Sequence, residues 1–323
     1  MTNKEKYSNL CQTEGSRIPL FLQYWWMEAV CEGKQWDVAL AYRHDDIIAA
    51  MPYLIGSRLG MRYILQPQLT QFSGPWYRYP AGNLSEQQRL AFEQEAAHQL
   101  WQHIASLRLA SYQQCFSPQV TNWLPFYWAG CTQTTRYTYL LPDISNPEQL
   151  LQGFDRDERQ KKILKLLPIT RLVDDITPQQ FALFHNDYWS SRGQRDLLSP
   201  DFIVRVCNAA CSRGQGLILG LADQQGTLLA ARFVVFDDRC AHSLLSALNP
   251  GSRVNGATET LIYRTIQILS DHTQSYDFEG SMNSGIEHFY RSFGTLQTPY
   301  FQVSRTFNFL FPLLAGAYQR LHH

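Results

Sequence analysis

Charge of one sign is missing from this chain. Its 28 Lys and Arg balance 28 Asp and Glu, giving a net charge of zero and a pI near 7.1. No global field therefore draws it to DNA or an anionic membrane, although a local basic patch stays compatible with that balance. Also missing is an apolar run long enough to span a bilayer, which takes roughly 20 residues. The longest, Phe307 to Tyr318, reads as an edge strand or packed tail, with a membrane foot as the alternative. The opening MTNKEKYSNLCQTEGSR has no apolar core of a secretory signal, so a cytoplasmic location is expected.

Cysteine is sparse and scattered. Cys11, Cys31, Cys115, Cys131, Cys207, Cys211 and Cys240 form an odd set without a CxxC pair, which excludes a disulfide scaffold. Cys207 and Cys211 share a helix face but have no second His/Cys pair nearby, so no metal site is expected. The cysteines read as reduced, mostly buried thiols. His98 and His103 are five apart, wrong for a zinc helix with ligands at i and i+4. His185-Asn186-Asp187 reads as an exposed helix segment, and His322 and His323 carry no weight.

What is present is apolar mass for two cores. In 323 residues, 45% are hydrophobic and 17% charged, a globular composition of about two domains. Two strand-turn-strand patterns overlay, WDVALAYRHDDIIAAMPYLI from Trp36 and LILGLADQQGTLLAARFVVF from Leu217. Ala41 matches Ala222, and Ile47-Ile48-Ala49-Ala50 matches Leu228-Leu229-Ala230-Ala231, at an offset of 181. A second register, offset 164, pairs Ser111-Tyr112 with Ser275-Tyr276 and Gly130 with Gly294. A helical stretch precedes each Ser-Tyr. The common order of these matches indicates a tandem duplication. The change of offset places 17 extra residues in the first half, around QPQLTQFSGPWYRYPAG.

The second half continues as the strand TTRYTYLLPD, a surface helix in DRDERQKKILKLL and a helix capped by Thr177-Pro178-Gln179-Gln180. Another helix starts at Ser199. Then follow the hairpin, a helix from about Gly256, the strand SYDFEG, a short helix and the strand TPYFQVSR. This is mixed α/β with a largely antiparallel sheet split by one crossover helix.

The order resembles the Gcn5-related N-acetyltransferase (GNAT) fold, and its doubling resembles the Fem-type peptidyltransferases. The resemblance rests on the hairpin followed by LNPGSRVNGATETLIY, on YDFEGS followed by HFYRSFG, and on the basic ERQKKILKL. It implies two tandem GNAT-like domains, each a mixed, mostly antiparallel sheet flanked by helices. Residues 1–133 would be a degenerate N-terminal domain forming a substrate wall. Residues 134–323 would carry the acyl-donor and catalytic site.

The resemblance also implies coenzyme A at the N-terminus of the helix near Gly256, where free backbone N–H groups and the dipole favour an anion. The matching residues are Arg253, Asn255, Gly256, Ala257 and Thr258; Glu259 in the first turn opposes a bound pyrophosphate. The alternative is that Asn255 is a plain N-cap.

Acyl transfer to an amine needs a group to take the amine proton. Glu279 and Asp277, two apart in a strand, would share one face, and burial and mutual repulsion would raise their pKa. The alternative is that they bond loop N–H groups or an Arg such as Arg291. The resemblance aligns Tyr290 with the family's general-acid Tyr; an ordinary aromatic anchor is the alternative. Ser281, Asn283 and Arg291 would line the substrate pocket. Gln71, Ser73 and Trp76 of the first-half loop would add a wall, or else staple a surface loop. At offset 164, Cys115 stands for Glu279 and Phe126 for Tyr290, so the first copy lacks both chemical groups.

The expected function is transfer of an acyl group from acyl-CoA or acetyl-CoA to a small-molecule or peptide amine. The alternatives are a Fem-type transferase using aminoacyl-tRNA, which the neutral charge disfavours, and a catalytically silent tandem domain that binds a ligand or partner.

Overall fold

The computed structural model describes residues 1–308 and Phe311. The rest of the apolar run expected to pack as a tail, with His322 and His323, lies outside the described residues. The chain forms two compact units, Met1–Arg136 with the chain from Pro299, and Tyr137–Thr298.

The first unit opens with α1 (Asn3–Glu14) and α2 (Tyr24–Cys31), followed by β1 (Gln35–Arg43), β2 (Asp46–Arg58), β3 (Met61–Leu65) and the two-residue β4 (Trp76–Tyr77). Next come α3 (Glu86–Ser106), β5 (Ser111–Cys115), α4 (Leu124–Trp128) and β6 (Thr132–Leu141), which carries the chain into the second unit. The expected hairpin is present, β1 pairing antiparallel with β2. Helix α3 begins where Ser85 and Gln88 close a capping box. Apolar residues of β2 are buried on both faces over eight consecutive positions, the mark of a strand covered on both sides.

The second unit contains α5 (Pro147–Gly153), a π-helical turn at Arg156–Gln160, α6 (Lys161–Leu166), β7 (Thr170–Val173), α7 (Pro178–Ser191) and α8 (Pro200–Cys211). After them come β8 (Gly216–Asp223), β9 (Leu228–Phe236), β10 (Cys240–Leu248), α9 (Ala257–Leu269), β11 (Ser275–Asp277) and α10 (Ser284–Arg291), and β12 (Leu296–Thr306) leads back to the first unit. Its strands run in the order β6-β11-β10-β9-β8-β7. Thr177 with Gln180, and Ser199, cap α7 and α8 as the sequence indicates.

Each unit repeats one plan: a three-stranded meander, a long helix, a strand parallel to the third of the meander, and a short helix. The parallel pair is β3 with β5 in one unit and β10 with β11 in the other; β1–β2, β2–β3, β2–β4, β5–β12, β6–β11, β7–β8, β8–β9 and β9–β10 are antiparallel. One core gathers Tyr53, Phe92, Trp101, Tyr112 and Phe126; the other gathers Tyr139, Ile262, Tyr276, Phe278 and Phe293. The basic segment differs from the surface helix expected: Arg159, Ile163 and Leu166 are buried. All seven cysteines are free thiols, five of them buried.

Candidate active site

Strands β10 and β11 run parallel over three pairs, Cys240 with Ser275, Ala241 with Tyr276 and His242 with Asp277. Then they part. The chain after β11 stays with β6, Phe278 N–H donating to the Tyr139 carbonyl at 2.9 Å, while β10 stays with β9. A bulge between Ser243 and Leu245 bends β10 at this point. The last pair, His242 and Asp277, therefore faces a wedge rather than a neighbouring strand.

Asp277 is buried and accepts from the Thr138 hydroxyl and, at 2.8 Å, from the Glu279 N–H. Here the sequence reading needs correcting, because the strand stops at Asp277. Glu279 lies beyond it with φ +68°, a left-handed conformation that strains a residue with a Cβ. Turn geometry, not strand alternation, brings its carboxylate round to the wedge. There Glu279 Oε1 lies 3.2 Å from His242 Nδ1, with Asp277 Oδ2 4.0 Å from the same nitrogen. The partner of the acids is His242, which sequence reasoning missed; only the cross-strand register of β10 on β11 reveals it. Arg291 instead pairs with Glu287 of its own helix at 2.9 Å.

Burial sets the electrostatics. It raises Asp277, against His242, the Thr138 hydroxyl and the Glu279 N–H. It pushes Glu279 up to about 7, His242 opposing and Asp277 adding. Burial alone would lower His242, but Cys240 and Glu279 outweigh it and hold the imidazole well above its ordinary value. The wedge thus holds a carboxyl that changes charge near neutrality beside a positively charged ring.

Tyr290 packs its ring on Tyr139 and Phe278, centroids 5.8 and 5.3 Å away. Tyr139 alternates with Thr138 in β6, so the phenol packs on the sheet face opposite Thr138, close enough to the gap after β11 for Glu279 and Asp277 to act on it. Burial raises its pKa to about 12, with Arg232 drawing it down. Ser281 accepts from the Asn283 N–H, and Asn283 caps α10 by accepting from Gly285 and Ile286. At the C-terminal end of β10, Tyr188, Arg192, Leu248, Asn249 and Ser252 line a cavity of about 330 Å³.

The N-terminus of α9 does not fit the coenzyme A cradle that the resemblance implies. Its cap is Gly256, at φ +102°, rather than Asn255. Gly256 and Ala257 are buried, and a Cβ on Gly256 would stand 2.9 Å from Lys162 Cβ of α6. Glu259 is buried too, accepting from Arg159 at 3.3 Å and Lys162 at 3.2 Å. Arg159 is itself fixed over the Phe289 ring at 4.3 Å. Helix α6 thus covers the turn, and an internal carboxylate supplies the negative charge that such a terminus attracts. Arg253 and Asn255 remain exposed and Thr258 half-buried.

The first unit repeats the parallel pair without the chemistry. β3 and β5 pair through Tyr63 with Ser111 and Ile64 with Tyr112. The next positions carry Leu65 and Gln113 where the second unit has His242 and Asp277. Cys115 is buried, and Phe126, wholly buried, fills the place of Tyr290. The loop residues are held inside this unit: Ser73 donates to Gln66 at 2.8 Å, Trp76 to the Arg17 carbonyl at 2.9 Å, and Gln71 accepts from Gln66 through its carbonyl. Among the described residues no group of three or more His, Cys, Asp or Glu could hold a metal ion, and no helix is long and apolar enough to cross a membrane.

No protein-family model and no curated protein matches the sequence. Solved structures do match. FemX superposes with a TM-score of 0.65 at 12% identity, over 90% of this chain and 92% of its own. This chain has the fold of FemX. Two further structures superpose on this chain. L-PGS from Bacillus licheniformis gives a TM-score of 0.56 at 12% identity, covering 98% of this chain and 96% of its own. The C-terminal domain of a putative lysylphosphatidylglycerol synthetase from Agrobacterium fabrum gives 0.53 at 12%, covering 94% and 91%. At such identities the likeness establishes the fold, and the chemistry has to be argued from the site.

Proposed function

We propose that this protein is an acyltransferase that moves an acyl group onto an amine in the wedge between β10 and β11. The observation that carries this reading is the Glu279–His242 pair, a carboxyl lifted to about 7 at the mouth of a parted parallel pair. The amine nitrogen attacks the donor carbonyl, forming the C–N bond and breaking the bond to the leaving group. Glu279 takes the amine proton, which a base titrating near neutrality does well. His242 and Asp277 orient Glu279, and Tyr290, raised to about 12, keeps its proton at neutral pH for the departing atom.

The donor is an aminoacyl ester of the kind aminoacyl-tRNA carries. The covered, internally neutralised start of α9 disfavours acyl-CoA, the donor expected from the sequence. Exposed Arg156, Lys161, Lys165 and Arg253 on and beside α6 offer cations for phosphates despite the neutral total. The test incubates the protein with primary amines and either charged tRNA or acetyl-CoA. Transfer from charged tRNA, slowed at least tenfold by Glu279→Gln, is expected. Transfer from acetyl-CoA alone overturns the donor, and transfer from neither overturns the enzyme in favour of a binding protein.

A further inference from the structure

Arg232 is buried to 4% exposure in the middle of β9. Its Nη1 donates to the Ser243 hydroxyl and, at 2.9 Å, to the Tyr276 hydroxyl. These are neutral groups. Among the described residues no carboxylate lies within ion-pair distance of it, and the buried Nε has no hydrogen-bond partner. Among the described residues Nη2 makes no hydrogen bond either, so the Nε–Nη2 edge is not used by the protein. An uncompensated buried cation is costly, and a buried polar atom left unpaired calls for an explanation.

Packing does not supply one, because the first unit solves the same problem without a charge. At offset 181 Arg232 corresponds to Met51, and at offset 164 Tyr276 corresponds to Tyr112. The contact is repeated: the Tyr112 hydroxyl lies 3.8 Å from Met51 Sδ, where the Tyr276 hydroxyl lies 2.9 Å from Arg232 Nη1. A methionine therefore fills this place beneath the parallel pair, fully buried. Only the unit with His242, Asp277 and Glu279 replaces it by arginine.

The position points to the wedge. Arg232, Ser243 and Tyr276 project from the adjacent strands β9, β10 and β11 on one sheet face. Ser243 and Tyr276 directly adjoin His242 and Asp277, the last pair before the strands part, so the group borders the gap from the other sheet face, the one on which Tyr290 packs. The Nε–Nη2 edge of a guanidinium is a planar fork that matches two oxygens of one anion.

We propose that Arg232 is a substrate-binding residue whose Nε–Nη2 edge holds an oxyanion, carboxylate or phosphate, carried by the substrate next to its reacting group. This deepens the acyl-transfer reading and rests on it for the word substrate. Ser243 and Tyr276 fix the guanidinium from its other edge.

The test measures the thermal midpoint of the full chain at constant ionic strength, titrating acetate or glycine in one arm and inorganic phosphate in the other, with chloride as reference. A saturable rise in at least one arm is expected for the wild type, and the responding arm names the anion. Arg232→Met, which copies the first unit, is expected to lose that rise while its anion-free midpoint stays equal or climbs. Arg232→Lys, retaining charge but not the fork, is expected to need at least fivefold more anion. A wild type indifferent to both anions, or an Arg232→Met protein with an undiminished rise, overturns the proposal. If Arg232→Met does not fold, an Arg232→Lys response equal to wild type overturns it instead. Because the readout is binding, absent acyl transfer alongside a rise lost in Arg232→Met would sink the enzymatic reading and leave the anion site standing.

Discussion

His242 Nδ1 lies 3.2 Å from Glu279 Oε1, joining a residue of β10 to one past the end of β11. Neither local sequence contains this contact. It exists because β10 and β11 pair in parallel up to His242 and Asp277 and because Glu279 adopts φ +68°.

The pair makes activity depend on pH in a stated direction. Glu279 accepts a proton only when ionised, so the transfer rate is expected to rise with pH through about 7. Glu279→Gln should lower turnover at least tenfold and remove that limb. Steady-state rates between pH 5 and 9 check it, and an unchanged limb in the variant would remove Glu279 as the base.

Stability should move the opposite way. Between pH 4.5 and about 7 the folded chain holds a proton on Glu279 that the unfolded chain has lost. Folding stability therefore falls as pH rises through that window. His242, raised when folded, contributes stability that is full below 6.5 and is lost as pH climbs through its folded value. Glu279→Gln is expected to flatten the lower limb and to melt above wild type at pH 8, as read by thermal unfolding.

Breaking the buried ion cluster should be costly. Arg159→Met leaves Glu259 with Lys162 alone in a buried setting, and a loss of about 3 kcal/mol is expected. Urea unfolding measures it; a loss below about 1 kcal/mol would show that the cluster does not anchor α6 on α9.

Gly256 offers a related check on the donor. Any side chain there meets the left-handed φ of +102° and Lys162 Cβ at 2.9 Å, so Gly256→Ala should destabilise the fold by about 1–2 kcal/mol. Calorimetric titration of the wild type with acetyl-CoA is expected to show no binding. A tight, saturable isotherm would restore the coenzyme A reading.

The basic surface makes a salt-dependent prediction. Lys165→Ala with Arg253→Ala should weaken tRNA binding and flatten its dependence on salt by about one phosphate contact each. Filter binding across a salt series reads this directly, and an unchanged slope would detach α6 from the donor.

The sequence by itself determined the duplicated plan. Apolar periodicity, turn residues and caps such as Thr177 with Gln180 and Ser199 are local signals, and the hairpins and capped helices formed where they stand. Asp277 and Glu279 were legible as candidate acids for the same reason. Tertiary structure decided what surrounds them. His242 became their partner through strand register, and Arg291 was taken up by Glu287 on its own helix. Glu259, read as an objection to a phosphate, became the anion that α6 encloses, since Arg159 and Lys162 lie about a hundred residues earlier in the chain. Arg232 drew no notice in a strand of aliphatic residues. Its meaning rests on what lies within 3 Å of it and on what Met51 does in its place, and contacts between distant segments are set by packing rather than by any local pattern.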